Sequence, residues 1–205
     1  RAGQLMNGVH LDIEAIRRIY GFDRPMLVQY GDWLFSALRG DFGESYYFKL
    51  PVASLIAERL QVTMTLGVCG ILFALLTAVP LGVVAAIRPN SLIDRVALFL
   101  SVAGQAMPSF WFGLILIVVF AIQLGLLPPS GAATWRHFIM PTIVLGYYAM
   151  PAIMRLTRAG MLDVLGSDYI RTARAKGAGE TRVLFKHALR NAIIPVVSLA
   201  AVQMG

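Results

Sequence analysis

The stretch "LQVTMTLGVCGILFALLTAVPLGVVAAI" (60–87) contains no charged residue, and it is flanked by Arg59 and Arg88. As a helix it would be about 42 Å long at 1.5 Å per residue, which is enough to cross the ~30 Å hydrocarbon core of a bilayer. Pro80 lies inside the stretch, and membrane helices tolerate a proline where neighbouring groups satisfy the freed carbonyl. The stretch therefore predicts a membrane-spanning helix.

The composition of the whole chain agrees with a membrane location. Of its 205 residues, 58% are hydrophobic and only 14% are charged, whereas a soluble domain carries about 25% charged residues. Cys69 is the single cysteine and the three histidines are scattered, so we expect no internal disulfide, no metal site and no bound cofactor. Because the chain begins with Arg1 and ends inside an apolar run, we expect it to be a fragment of a longer protein.

Further apolar stretches predict more spans, so the predicted fold class is an all-α, polytopic membrane protein. One stretch covers 96–124 and contains Gln105 and Pro108, which predict a kink. The turn residues of "LLPPSG" separate it from a shorter span at 137–158. A last span covers 191–205 and is truncated.

Residues 1–59 differ from the transmembrane domain that we expect over 60–205. They predict short helices of the soluble type, one capped by Asp12 and one opened by Pro25 and ended by Gly40. The second of these helices has one apolar face, formed by Leu27, Tyr30, Leu34 and Leu38.

Charge asymmetry predicts the orientation of the chain. Residues 1–59 hold seven Lys/Arg and seven Asp/Glu, whereas residues 155–190 hold eight Lys/Arg against three Asp/Glu. The positive-inside rule places 155–190 and the short 88–95 loop in the cytoplasm. Residues 1–59, a periplasmic segment, and the "LLPPSG" loop would then lie outside.

The most basic stretch, "RTARAKGAGETRVLFKHALRNAIIP" (171–195), predicts a helix–turn–helix. Ser167 or Asp168 can cap the first helix, and Gly177 can end it in a left-handed conformation. The function of the stretch has four interpretations: a solvated loop that sets topology, a site for anionic lipid, a nucleic-acid site, or a docking site for a cytosolic partner. We discount nucleic acid, because the charges lack a separate soluble domain that could read it. The second helix has a buried side formed by Val183, Leu184 and Leu189.

The residues favour docking to a cytosolic partner. "RTARAKG", nine residues and then "HALRNAIIP" resemble the cytoplasmic signature of permease subunits of bacterial ABC importers. Three positions match the general pattern of that signature, and four depart from it. The departures, together with "LGVVAAI", "MPSFWFG" and "LPPSG", resemble the dipeptide/oligopeptide/nickel branch of the binding-protein-dependent transport permeases. The matches are Ala173, Gly177 and Leu189, and the departures are Arg171, Thr172, His187 and Arg190.

The resemblance implies the helical bundle of a type I, methionine-permease-like importer in the bacterial inner membrane, with further spans before Arg1 and after Gly205. It implies as partners a second homologous permease subunit, a pair of cytosolic ABC ATPase subunits and an external substrate-binding protein, besides membrane lipid. In such importers a short helix of the signature docks in a groove on the ATPase. Carried over to this sequence, the coupling loop is 163–190. Its contact residues are then Asp168, Tyr169, Arg171, Thr172, Ala173, Arg174, Ala175, Lys176, Gly177, Glu180 and Val183.

Polar groups in or near the second predicted span have two interpretations. Gln105, Ser109 and Gln123 can line a translocation pathway or bond to a neighbouring helix. Pro108 and the aromatic residues around it favour the pathway.

The resemblance implies a transporter subunit, not an enzyme, that moves peptides or similar small solutes by alternating access while partner ATPases hydrolyse ATP. The chain lacks the GxxxxGK[ST] motif that would bind the phosphates of ATP. The alternative functions are a secondary transporter or channel without an ATPase, and a membrane scaffold that moves nothing. Charge-coupled carriers usually keep an ionisable group near the membrane midplane, and 60–87 and 96–124 contain none.

Overall fold

The computed structural model describes residues 24–45 and 47–204, and the regular elements within these ranges are all helices. This confirms the predicted all-α fold class. The described residues divide into two compact units between Gln61 and Val62. The helices are α1 (Met26–Leu38), α2 (Val52–Ile87), α3 (Leu92–Ala106), α4 (Ser109–Leu116), α5 (Arg136–Leu165), α6 (Asp168–Ala175), α7 (Glu180–Ala192) and α8 (Ile194–Met204).

Helix α1 begins and ends where the sequence predicts. Pro25 stands at its N-terminal boundary with φ −55°, and Gly40 follows its end with φ +83°. Helix α1 buries none of its residues, and the four side chains of its predicted apolar face are between 39% and 86% exposed. The helix predicted to be capped by Asp12 lies outside the described residues.

Helices α2 and α5 are both long and apolar enough to cross a membrane. They have 36 and 30 residues, so each extends beyond the span predicted at 60–87 or 137–158. Helix α2 begins earlier because Pro51 precedes Val52, a favoured place for proline at a helix start, and no proline or glycine follows until Gly67. Helices α7 and α8 pass the same test only when they are taken together, and the two are bent by 47° at the break between them.

The stretch predicted as a second span, 96–124, is broken rather than kinked. Helix α3 ends before Met107, whose ψ of 128° is extended, and α4 begins directly after Pro108. Proline disfavours a helical conformation in the residue before it and lacks an N–H to donate, which explains the break. Helix α4 then continues as a π-helix over Ile117–Gln123.

Glycines allow α2 and α5 to approach closely in the second unit. A Cβ atom on Gly82 would lie 2.8 Å from the Met154 carbonyl oxygen, and one on Gly146 would lie 2.7 Å from the Gly70 carbonyl oxygen. Small side chains continue this contact and bring α3 and α8 into the same core. That core is formed by Ala74, Ala78, Ala85, Ala97, Ala149, Ile153, Met154 and Val196.

Candidate functional site

Helix α6 follows α5 almost at once and buries one of its sides. Only Gly166 and Ser167 separate the two helices. Ile170 is fully buried and Ala173 is 9% exposed, because both face the bundle. This side is held by an apolar cluster of α2, α5, α6 and α7, formed by Val83, Ala86, Met161, Ile170, Val183, Ala188 and Ala192.

The side-chain cap predicted for α6 is wrong. Ser167 occupies the capping position but makes no capping hydrogen bond. Its hydroxyl donates instead to the Val164 carbonyl at 2.7 Å, within the end of α5. Asp168 is the first residue of α6 and forms an exposed ion pair with Arg171 at 3.1 Å. The Ser167 hydroxyl therefore satisfies a carbonyl at the end of α5 rather than capping α6.

The turn after α6 has the left-handed conformation predicted at Gly177, with φ +79°. The Gly177 N–H donates to the Arg174 carbonyl at 2.9 Å, and the Ala178 N–H donates to the Ala173 carbonyl at 3.2 Å. These bonds satisfy carbonyls at the end of the helix. A Cβ atom on Gly177 would meet nothing within 4 Å, so backbone conformation rather than space favours glycine here.

Two side-chain contacts brace this turn by joining α6 to α7. Arg174 donates to both carboxylate oxygens of Glu180, at 2.9 and 3.2 Å, and this hydrogen bonding lowers the pKa of the Glu180 carboxyl below its usual value. The Tyr169 hydroxyl lies 2.6 Å from Nδ1 of His187. Arg174, expected from the sequence to contact a partner, is thus already paired within the loop.

A recess of about 370 Å³ opens between α6 and α7. Its basic lining comes from Lys176, Arg182, Lys186 and His187. Within the described part of the chain, no ion pair involves the two lysines or Arg182. The recess is therefore an electropositive surface suited to an acidic group. Its other walls are Tyr169, Thr172, Ala173, Gly177 and Ala178.

The predicted contact residues of the loop separate into two sets. Ala173 and Val183 are buried, so they support α6 and α7 from below, and Ala173 also forms part of the wall of the recess. The others are exposed or line the recess. These are Asp168, Tyr169, Arg171, Thr172, Arg174, Ala175, Lys176, Gly177 and Glu180.

The residues predicted for a translocation pathway do not form one cluster. Ser109 lines a mostly apolar cavity of about 490 Å³ beside Phe110, Gly113 and the 128–131 turn. Pro108 stands at the break just before it, whereas Gln123 is exposed on the π-helical stretch and does not line this cavity. The side chain of Gln105 is outside the described part of the structure.

The sequence did not predict one buried ion pair, which joins α3 to α5. Asp94 of α3 is 2% exposed and bonds to Arg158 of α5. The available signal was an aspartate next to Arg95 in the short 88–95 loop, which the charge rule places in the cytoplasm. Nothing in the local sequence relates that loop to a residue in α5.

Comparisons with known proteins identify the family to which the chain is similar. Residues 78–205 match the family described as "Binding-protein-dependent transport system inner membrane component". The chain is 42% identical over 193 residues to the glutathione transport system permease protein GsiC of Escherichia coli (strain K12). It is also 42% identical over 193 residues to the protein of that name from Pectobacterium atrosepticum. Each alignment covers 94% of this chain and 63% of the relative, so the chain spans less than two thirds of their length.

Proposed function

The chain belongs to the family of binding-protein-dependent transport system inner membrane components, which are multi-pass proteins of the bacterial inner membrane. We therefore propose that it is the permease subunit of an ATP-driven importer. It performs no chemistry on its substrate. Partner ATPases hydrolyse ATP, and the permease converts their movement into alternating access. The observation that carries this proposal is the braced helix–turn–helix of residues 168–192, which is anchored on one side and exposed on the other.

This loop has the mechanical properties that coupling requires. Its inner side packs on the apolar cluster that includes Ile170, so a displacement of α6 also displaces the helices that it packs against. Its outer side carries the electropositive recess and the exposed ion pair of Arg171 with Asp168. The Arg174–Glu180 bonds restrain the turn. A topology signal alone would need positive charge but not this fixed geometry.

The proposed partners follow from the family and from the charge of the loop. A pair of cytosolic ATPases docks on α6 and its recess, a second homologous permease completes the membrane assembly, and a binding protein delivers the solute from outside. The loop then lies in the cytoplasm, as its excess of Lys/Arg favours. Residues 1–59 lie outside, where we assign them to reception of the binding protein.

The proposed substrate class is peptides and similar small solutes. The relatives are named for transport of glutathione, which is a small peptide, and this supports the class without naming the molecule. We place the pathway beside the break at Pro108, where Ser109 borders the cavity of about 490 Å³. A broken membrane helix is a common setting for solute sites in transporters.

Uptake is expected to require ATP. The full-length permease, its second permease and the ATPases are reconstituted in vesicles, and uptake of a labelled di- or tripeptide is measured with the binding protein present. We expect uptake only when ATP is on the side of the ATPases, and no loss when ion gradients are dissipated. Uptake that continues without ATP and follows an ion gradient would instead support the secondary transporter.

A further inference from the structure

A carboxylate and a guanidinium are paired inside the helical bundle, close to where the coupling loop begins. Asp94 lies in the first turn of α3, and Arg158 lies in α5, 64 positions along the chain. Arg158 Nε donates to Asp94 Oδ1 at 2.6 Å, and Nη2 donates to Oδ2 at 2.7 Å. The Asp94 side chain is 2% exposed and the Arg158 side chain is 21% exposed. This two-bond geometry fixes orientation as well as distance.

The same carboxylate also fixes the turn between α2 and α3. Asp94 Oδ2 accepts a hydrogen bond from the Asn90 N–H at 2.8 Å, and the Asp94 N–H donates to Ser91 Oγ at 3.3 Å. Asn90 has φ +61°, a left-handed conformation that asparagine adopts more readily than most residues. One side chain thus ties together the end of α2, the start of α3 and the flank of α5.

The position of Arg158 connects this pair to the coupling loop. Thr157 is fully buried against α2 at the Gly82 contact, and Met161, one turn further on, is fully buried in the cluster that holds Ile170 of α6. Helix α5 continues without a break from Arg158 to Leu165, just before α6. Movement of α6 therefore reaches α5 close to the ion pair.

We propose that the Asp94–Arg158 ion pair is the positioning contact that transmits movement of the coupling loop from α5 to the α2–α3 turn and α3. This inference rests on the proposed coupling function. A buried ion pair often adds little to stability compared with apolar residues of similar size. The presence of two charges at this site is therefore better explained by a role other than stability. The pair gives α3 and α5 one fixed register, so that α3 must follow when α5 is displaced. Helix α3 ends at the Pro108 break, beside the proposed pathway.

The test compares three variants of the full-length permease in the reconstituted importer. Asp94→Asn removes the charge but keeps the shape, Arg158→Lys keeps the charge but loses the two-bond geometry, and Asp94→Asn/Arg158→Met removes both charges. Transport per ATP hydrolysed is measured with permease level and co-purified ATPase. Arg136→Gln, which removes an exposed charge at the start of α5, is the matched control and should behave as wild type.

We expect all three variants to transport about three- to tenfold less solute per ATP than wild type, in the range by which residues remote from both sites alter coupling. The double variant decides between positioning and simple stability, because it leaves no unpaired buried charge. We expect its protein level and bound ATPase to be normal while its coupling stays low. Normal transport per ATP in the double variant, or a loss only in proportion to permease level, would overturn the inference. If the wild type itself shows no ATP-dependent transport, the proposed function fails first and this inference fails with it.

Discussion

Replacing Gly177 with valine in the full-length permease is expected to uncouple ATP hydrolysis from transport while leaving membrane insertion intact. The backbone at Gly177 has φ +79°, which a β-branched residue adopts only as an outlier. The left-handed penalty of roughly 1–2 kcal/mol would shift the turn toward other conformations by a factor of about 5 to 30. Transport should fall by a similar factor, because α6 would no longer meet the ATPase in one geometry.

Matched variants separate backbone strain from added bulk. Gly177→Asn adds a side chain but suits a left-handed residue, so it should keep most of the transport. Gly179→Ser adds a side chain at φ −64°, where nothing lies within 4 Å, and should be close to wild type. Substrate uptake and ATP hydrolysis are measured together in vesicles. Equal loss in the valine and asparagine variants would show that bulk rather than conformation matters, and wild-type uptake in the valine variant would leave the loop as a topology signal.

Replacing Gly146 with leucine is expected to prevent assembly of the helical bundle. A Cβ atom there would lie 2.5 Å from Phe73 Cδ1 and 2.7 Å from the Gly70 carbonyl oxygen. The ring can turn, but the carbonyl belongs to the backbone of α2 and cannot move without separating the helices. Overpacking of this kind costs about 1–3 kcal/mol or more, which is a large part of a typical protein's stability.

The measurement for this second variant is the yield and the thermal unfolding of the purified full-length permease in detergent. We expect little folded protein for Gly146→Leu and a lowered unfolding temperature for Gly146→Ala. Gly67→Ala is the control, because it lies in α2 as well and a Cβ atom there meets nothing within 4 Å. Equal unfolding temperatures for the two alanine variants would contradict the close approach of α2 and α5.

Features encoded by local sequence were largely predictable. The uncharged stretch 60–87 indicated a long apolar helix because hydropathy and length suffice for that inference. Gly177 indicated a left-handed helix end because only the conformation of one residue was in question. Pro25 and Gly40 bounded α1 for similar reasons. In each case the deciding interaction lies within a few residues of chain.

Features that depend on contacts between distant residues were not predictable. Asp94 and Arg158 meet only because α3 and α5 pack against each other, and the sequence near each residue gives no register for that packing. The break at Pro108 was expected as a kink, since proline marks a disturbance in a helix but does not say how far the chain turns. The bond between Arg174 and Glu180 spans a turn whose exact course had to be known first.

The position of the coupling loop can be measured directly with single cysteines in a full-length permease that carries Cys69→Ser. One variant carries Ala175→Cys in exposed α6, and the other carries Ser130→Cys in the exposed turn before α5. We expect only Ser130→Cys to react with a membrane-impermeant thiol reagent added outside intact cells. We also expect only Ala175→Cys to cross-link to the ATPase in the assembled importer. Labelling of Ala175→Cys from outside, or its failure to cross-link while Ser130→Cys succeeds, would contradict the proposal that this loop couples the permease to a cytosolic ATPase.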